Sequence, residues 1–381
     1  MTTWAVLTGE YPPQAGGVSD YTRQICHALV AAGDRVTVFA PPCAGPDDSD
    51  SRVSVIRLPD HFGRRGRAVV ENHLGADRPD RVLVQYVAQA FGMKGMNLPF
   101  ARWVRRKLPS VAPVWVTFHE VACPFVRRPL KHNLLAWVTR MMARRIATAA
   151  DRVFVTIPAW GDLLRRIAPR GKSPEWLPVP SNLPAVVDAE AVAAVRRGYP
   201  PGTVIGHFGT FGKLITELLE PILVTILRAS SDRIVMLIGR NGQAFRDGFT
   251  ARHPDLAGRI VATGELPAQA AAEHLAACDV IVQPYPDGVS SRRTSAMSGI
   301  ALGVPVITNL GALSEPIWTA EENGMTLSPD ATAAGMIEAL MRALLLTPGE
   351  RSARGEMGRR WYAERFALER VVAVLREERP S

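Results

Sequence analysis

Cysteine is scarce and scattered. Cys26, Cys43, Cys123 and Cys278 are spread over 381 positions without a C-x-x-C pair, which argues against both a disulfide framework and a structural zinc site. The expectation that follows is a reduced, cytoplasmic compartment. Long apolar runs are missing as well: no window approaches the roughly 20 uncharged apolar residues that a membrane-spanning helix needs. The N-terminus, MTTWAVLTGEYPPQ, has no basic stretch ahead of an apolar one and does not read as a signal peptide. Acidic residues are the minority, 36 against 45 Lys and Arg, for a formal net charge of +9. An acidic solvating tail is thereby excluded, and anionic partners such as phosphates, nucleic acid or acidic lipid are favoured. With 47% hydrophobic and 21% charged residues the composition is that of a globular chain, and its length suggests two domains.

What the chain does have is alternation. TWAVLT (Thr3 to Thr8) reads as a buried strand and GEYPPQAGG as the loop after it. Val18, Tyr21, Ile25 and Leu29 then fall at helical spacing, with Gly33 placed to end that helix. Valine-rich runs recur in RVTVFAP, RVSVIRLP, RVLVQYV, PVWVTFHE and DRVFVTIP, separated by segments long enough for helices. Strands buried on both faces and alternating with helices predict a parallel, doubly wound sheet. Four prolines in SPEWLPVPSNLP disfavour helix and mark a connection, after which the alternation restarts with TVIGHFG, RIVMLIG, RIVATG, DVIVQP and VPVIT. The expected fold class is α/β: two Rossmann-like doubly wound domains facing each other across a cleft. The first spans 1–180 and is completed by a C-terminal helix over 358–381. A Pro-rich linker covers 178–200, and the second domain 200–355. The ligand site of such a chain is expected in the cleft, at the carboxyl ends of the strands.

Several short segments there carry chemistry. Gly16-Gly17 opens the first helix, where glycines let backbone amides approach an anion and the helix dipole favours phosphate; a tight turn alone would use the same residues. HFGTFGK repeats the arrangement after the first strand of the second half, with Gly209, Gly212 and the point charge of Lys213. His119-Glu120 ends the strand PVWVTF, where an imidazole can hydrogen-bond a substrate or act as acid or base. A satisfied structural histidine is the competing reading. In PYPDGVSSRRTSAMSG, Asp287, the Gly288 turn and the Arg292-Arg293 pair lie beside a helix start, an acid and two cations in one short span. A solvated ion-pair loop stands against the functional reading of that span.

Six segments, YPPQAGGVSDY, TFHE, PVPSN, IGHFGTFGK, TGELPAQAAAEHLAACDVIVQPY and SAMSGIALGVPVIT, run in order along nearly the whole chain. In them the sequence resembles the family 4 glycosyltransferases of the GT-B fold. The resemblance implies a retaining, metal-independent transferase without a cofactor. Its donor would be a nucleotide diphosphate sugar such as a UDP- or GDP-sugar, and its acceptor a saccharide, lipid-linked or small molecule. Gly16 and Gly17 match the family's glycine loop near the donor phosphates and acceptor, His119 matches the histidine beside the transferred sugar, and Lys213 lies near the diphosphate-binding lysine. The arginine usually ahead of that lysine is absent, and His207 stands in its region. The paired-glutamate motif reads here as Asp287 and Ser295. Asp287 can contact sugar hydroxyls, whereas Ser295 cannot make a carboxylate's bidentate contact to a ribose. DGVS-x-RR replaces the usual acid-Gly-Phe-Gly, so Arg292 or Arg293 is expected to supply the missing phosphate charge. His119 and Asp287 are thus the catalytic candidates. The implied donor side further includes Thr210, Gly239, Arg240, Gly264, Glu265, Leu266, Ser290 and Ser291, and the acceptor side Tyr21, Tyr86 and Glu120. The departures keep open another GT-B enzyme, a phosphorylase or sugar-nucleotide epimerase, and a degenerate member that binds nucleotide without catalysis.

From Arg102 to Arg145 the chain carries ten Lys or Arg (Arg102, Arg105, Arg106, Lys107, Arg127, Arg128, Lys131, Arg140, Arg144, Arg145) against one acid, Glu120. Trp103, Phe125, Leu134, Leu135, Trp137, Met141 and Met142 are interleaved, as on a surface that touches anionic headgroups. Helices with solvated arginines outside and apolar residues inside would carry the same pattern. The segment points to peripheral attachment at the inner face of the plasma membrane or to an anionic acceptor. Nucleic acid is disfavoured, because no helix-turn-helix, zinc or ribonucleoprotein signature accompanies the charge.

Overall fold

The computed structural model describes residues 1–43, 52–128 and 131–377. The chain divides into two compact units, Met1–Pro178 with Val371–Ser381, and Val179–Arg370.

In the first unit β1 (Thr3–Thr8), β2 (Arg35–Ala40), β3 (Ser54–Arg57), β4 (Arg81–Val87), β5 (Val114–Glu120), β6 (Arg152–Val155) and β7 (Pro174–Trp176) form one sheet. Its order is β3-β2-β1-β4-β5-β6-β7 and every pairing is parallel. The longer connections hold α1 (Gly17–Ala31), α2 (Arg64–Ala76), α3 (Leu98–Lys107), α4 (Lys131–Ala147) and α5 (Pro158–Ile167). The direction of winding reverses between β1 and β4, the switch point where loops diverge and leave a crevice at the carboxyl edge. Successive side chains of a strand point to opposite faces. Val82, Val84 and Tyr86 of β4 and Val114, Val116 and Phe118 of β5 enter one core with Phe100 and Val104 of α3 and Met142 and Ile146 of α4. Gln85 and His119 therefore stand on the other face. Pro174 opens an edge strand, where its missing N–H costs no ladder bond.

In the second unit β8 (Thr203–Phe208), β9 (Arg233–Ile238), β10 (Ile260–Gly264), β11 (Val280–Gln283), β12 (Val306–Asn309) and β13 (Thr326–Ser328) pair in parallel in the order β10-β9-β8-β11-β12-β13. The helices are α6 (Ala189–Arg197), α7 (Lys213–Ala229), α8 (Gly242–Arg252), α9 (Ala268–Ala276), α10 (Thr294–Ala301), α11 (Ala333–Leu344) and α12 (Pro348–Arg365). Leu219, Ile222, Leu223, Ile226 and Leu227 give α7 a fully buried apolar stripe against the sheet, the spacing an amphipathic helix requires. Its switch point lies between β8 and β11.

Three boundaries differ from the sequence reading. The segment expected as a linker belongs to the second unit from Val179 onward. The Ser181 amide donates to the Tyr362 hydroxyl at 2.8 Å, the Ser181 and Ser298 hydroxyls lie 3.0 Å apart, and α6 occupies its distal half. That helix forms because the prolines stop at Pro184 and Asp188 caps it, accepting from the Glu190 amide. The second unit accordingly extends to Arg370 rather than 355. The helix expected to return to the first unit over 358–381 is two helices. α12, started by a Thr347–Glu350 capping box, stays in the second unit, where Trp361, Tyr362 and Phe366 pack with Trp318. Only α13 (Leu368–Arg376) returns: Arg376 pairs with Asp34 at 3.1 Å, and Arg81 and Arg152 donate to the carbonyls of Leu375 and Val374.

Candidate active site

At the switch point of the first sheet, β1 ends at Thr8 and the loop brings Glu10 to the start of α1. One carboxylate oxygen of Glu10 accepts from the amides of both Val18 and Ser19 at 3.0 Å. A β-carbon at Gly16 would collide with that carboxylate, which is why the position is glycine, whereas Gly17 opens onto empty space. Burial pushes the Glu10 carboxyl upward from its ordinary range, and the two amides pull it back. These amides follow directly on Gly16-Gly17, the loop expected near a donor phosphate. They hold an internal anion instead, and a phosphate there would meet a like charge.

His119, at the end of β5, is buried, and its Nε2 lies 2.8 Å from Oε1 of Gln85. An amide oxygen only accepts, so the imidazole donates through Nε2 and leaves Nδ1 as an acceptor. Tyr21 of α1 packs edge-on against the ring at 4.9 Å, and the His119 carbonyl accepts from the Trp160 indole at 2.9 Å. Burial without a charged partner pushes the imidazole down to about 3. A ring held neutral suits hydrogen bonding; as a base at neutral pH it is too weak to take much of a proton. Among the described residues, Nε2 of Gln85 and the hydroxyl of Tyr21 have no hydrogen-bond partner. Tyr86, expected on the acceptor side, points the other way, into the core with Phe91 and Phe118. Strand alternation gives its neighbour Gln85 the site instead. Glu120 is exposed at the end of the strand.

In the second unit the loops that follow β8, β9 and β10 are tied together. The Gly209 amide donates to the Ile238 carbonyl and the Gly239 amide to Gly264, each at 3.1 Å, and the Asn241 side chain donates to the Thr210 carbonyl at 3.1 Å. Arg240 and Glu265 form a two-bond pair at 2.5 and 3.1 Å, and Leu266 packs below it against the core. Gly212 starts α7 with no side-chain cap, so that helix presents its first amides uncapped by a side chain. Lys213, its first residue, is largely exposed, 3.8 Å from Glu217. His207 cannot stand in for the missing arginine: it is buried, donates Nδ1–H to the Val282 carbonyl at 2.8 Å, packs on Phe211, and is pushed down to about 4 by burial.

After β11 the chain builds an ion triad. Asp287 accepts from Arg292 at 2.7 Å and from Arg293, whose guanidinium lies 4.6 Å over the ring of Tyr285. Two cations on one carboxylate leave a net positive charge, and each guanidinium has five N–H donors, more than Asp287 can take. The Tyr285 hydroxyl, pushed up to about 12 chiefly by burial, bonds the Ser295 hydroxyl at 2.7 Å. Ser295 is thus engaged within the protein. Gly288, at φ 86°, backs onto the Gly311 backbone, which leaves no room for a side chain. Glu315 anchors the loop: its carboxylate accepts from the Ser291 amide at 3.1 Å, the Ser291 hydroxyl at 2.5 Å and the Trp318 indole at 2.6 Å. Ser290 beside it is buried with its hydroxyl unpartnered among the described residues. β8 and β11 are neighbours in the sheet, so the loop into α7 and the triad's loop leave adjacent strand ends, and Ile215, in the first turn of α7, packs on the cluster that includes Tyr285 and Val289. A recess of about 260 Å³ lined by Val153, Leu164, Arg165 and Pro174 lies at the opposite, amino-terminal ends of β6 and β7 and includes none of these residues.

Residues 16–180 match the glycosyl transferase 4-like domain. Along 403 aligned positions, covering 98% of this chain and 97% of the other, the sequence is 25% identical to the GDP-mannose-dependent alpha-(1-6)-phosphatidylinositol monomannoside mannosyltransferase of Mycobacterium tuberculosis. The chain is a glycosyltransferase. Its fold is GT-B: sucrose-phosphate synthase from Thermosynechococcus elongatus superposes with a TM-score of 0.75 at 20% identity, covering 98% of this chain and 97% of that one. WaaG, a glycosyltransferase involved in lipopolysaccharide biosynthesis, superposes with 0.66 at 15% identity over 98% and 100% of the two chains.

A glycosyltransferase of this type works on nucleotide sugars. Three residues of the candidate site escaped the sequence reading. Gln85 had a visible signal, a lone polar residue inside the apolar strand RVLVQYV. Glu10 and Glu315 had none, since their roles depend on amides and hydroxyls that only folding brings to them. Among the described residues of the transferase, no group of three or more His, Cys, Asp or Glu side chains is placed to hold a metal ion.

Proposed function

We propose that this glycosyltransferase moves a mannosyl-type sugar, with retention and without a metal or cofactor, from a GDP-sugar to a lipid-linked saccharide. The observation that carries the reading is the pairing of the uncapped α7 start with the net-positive Arg292–Asp287–Arg293 triad at the switch point of the second sheet. That is where a diphosphate finds amides, a helix dipole and guanidinium donors together. The second unit is assigned the diphosphate, with Lys213 as an added cation, and Asp287 the positioning of both arginines. The first unit is assigned sugar and acceptor hydroxyls, with neutral His119 as a hydrogen-bonding partner. The donor and acceptor classes come from the mycobacterial relative, which is GDP-mannose dependent and acts on a phosphatidylinositol monomannoside.

In the proposed step the acceptor hydroxyl attacks the anomeric carbon from the face the diphosphate leaves. The carbon–oxygen bond to phosphate breaks with its electron pair going to the diphosphate, and a phosphate oxygen takes the acceptor proton. Charge grows on the leaving group, so fixed cations and amides there lower the barrier. Replacing Arg292 or Lys213 by alanine is expected to lower kcat/KM for a GDP-sugar by on the order of tenfold to a thousandfold, the range for loss of one preorganised contact. Undiminished turnover in both variants refutes the diphosphate assignment.

A further inference from the structure

The outward stripe of α4 is apolar where a solvated helix face should be polar. Leu134 and Trp137 are 60% and 54% exposed, and half-buried Met141 continues the stripe four residues on, along ~10 Å of helix, with exposed Arg144 three residues beyond. Beside them Phe125 is 57% exposed, seated 4.1 Å from the Arg140 guanidinium. Its loop is clamped to the first turn of α4 by the Asn133 side chain, which accepts from the Val126 amide at 2.9 Å and donates to the Val126 carbonyl at 3.0 Å. Met93, 60% exposed, lies two residues from Gly95, where a β-carbon would meet the side chain of Leu135 of the same helix. Four of the nine large apolar side chains exposed among the described residues thus gather on this one patch of the first unit.

Cations gather around the patch. Arg127 and Arg128 are exposed on the clamped loop, Arg144 on the stripe, and Arg102 and Arg105 on α3, which packs against α4. The Arg145 guanidinium is held below its ordinary range by burial and then by Arg102, Arg105 and Arg144, so these four cations stand close enough to repel. None of Arg102, Arg105, Arg127, Arg128, Arg144 and Arg145 forms a salt bridge to an acid among the described residues. Tolerating such a cluster unpaired lowers the stability of the free protein, and an anionic surface relieves it. Aromatic and aliphatic tips ringed by arginines match the interfacial zone of a bilayer, where rings enter the headgroup layer and guanidinium groups meet phosphate.

We infer that the α3–α4 face, centred on Phe125, Leu134 and Trp137, docks the first unit onto an anionic phospholipid surface. The inference rests on the lipid-linked acceptor proposed above and names the surface on which that acceptor is met. The test uses the full chain and vesicles of phosphatidylcholine, with or without phosphatidylglycerol, read by flotation. The wild type is expected to float with the anionic vesicles and stay in solution with the neutral ones. Phe125→Ser/Leu134→Ser/Trp137→Ser should lose that binding. Arg127→Glu/Arg128→Glu/Arg144→Glu should lose more than roughly a hundredfold of it, at about fivefold for each cation removed. Donor-induced stabilisation of both variants should match the wild type, which shows that they fold. Equal partition onto both kinds of vesicle, or variants that float like the wild type, overturns the docking face. A chain that transfers sugar to a soluble acceptor yet ignores anionic vesicles also overturns it and leaves the transferase reading intact. Vesicle binding by a chain that transfers no sugar supports the face and counts against the transferase reading.

Discussion

Replacing Gln85 by glutamate puts a carboxylate where an amide oxygen now lies 2.8 Å from Nε2 of His119. In the wild type the buried imidazole is pushed down to about 3 and stays neutral from pH 5 to 8. Two opposite charges about 4 Å apart at an effective dielectric constant near 20 attract by ~4 kcal/mol. At about 1.4 kcal/mol per unit, that favours the imidazolium by roughly three pH units. Burial of the new carboxylate opposes part of this, so the glutamate–histidine pair should take up its shared proton near pH 6. The assay is an NMR titration of the imidazole Cε1–H resonances, with His119 assigned by its loss in His119→Asn. Gln85→Glu should show a transition near pH 6 that neither the wild type nor Gln85→Leu shows. In turnover, an imidazolium beside a carbon that gains positive charge is unfavourable, so kcat of Gln85→Glu should fall as pH drops through 6 while the wild type stays level there. A wild-type His119 that titrates near 6.5, or a Gln85→Glu pair silent between pH 5 and 8, refutes the reasoning.

Two further outcomes follow from buried polar groups. His119 and His207 are held well below an unfolded value near 6.5, so each stabilises its unit fully above that pH and loses the contribution as pH falls toward the folded values of about 3 and 4. Between pH 7.5 and 5 each histidine should remove ~2 kcal/mol. Urea unfolding of His207→Gln should therefore lose ~2 kcal/mol less over that interval than the wild type, and identical losses count against the buried neutral state. Glu315→Ala removes the carboxylate that accepts from the Ser291 amide and hydroxyl and from the Trp318 indole. At 1–3 kcal/mol per orphaned buried group it should cost at least about 3 kcal/mol and weaken GDP-sugar binding, measured by denaturant titration and calorimetry; an unchanged midpoint shows that Glu315 does not anchor the loop.

The paired α/β architecture was legible in the sequence because strands buried on both faces of a parallel sheet have to be apolar runs, and RVLVQYV or RIVMLIG cannot serve as anything exposed. The same logic located the loops at the carboxyl ends of those strands, hence Gly209, Lys213, His119 and the DGVSSRR segment. Period-two alternation separated Gln85 from Tyr86, yet which of them faces the core depended on α3 and α4 packing against one side of the sheet, and no local pattern states that. The charged tail likewise read as one helix, while the division between α12 and α13 followed from Trp361 and Phe366 joining Trp318, more than forty residues upstream. Occupancy was the least readable property. Whether the amides of a helix start are open to a phosphate is settled by whether some carboxylate reaches them first. Glu10 reaches those of α1, and among the described residues no side chain caps α7. The chain's own sequence thus determined where strands, helices and their anion-seeking loops fall. The tertiary structure decided which of those loops keep their donors available, because hydrogen-bond partners distant in sequence meet only once the core has closed.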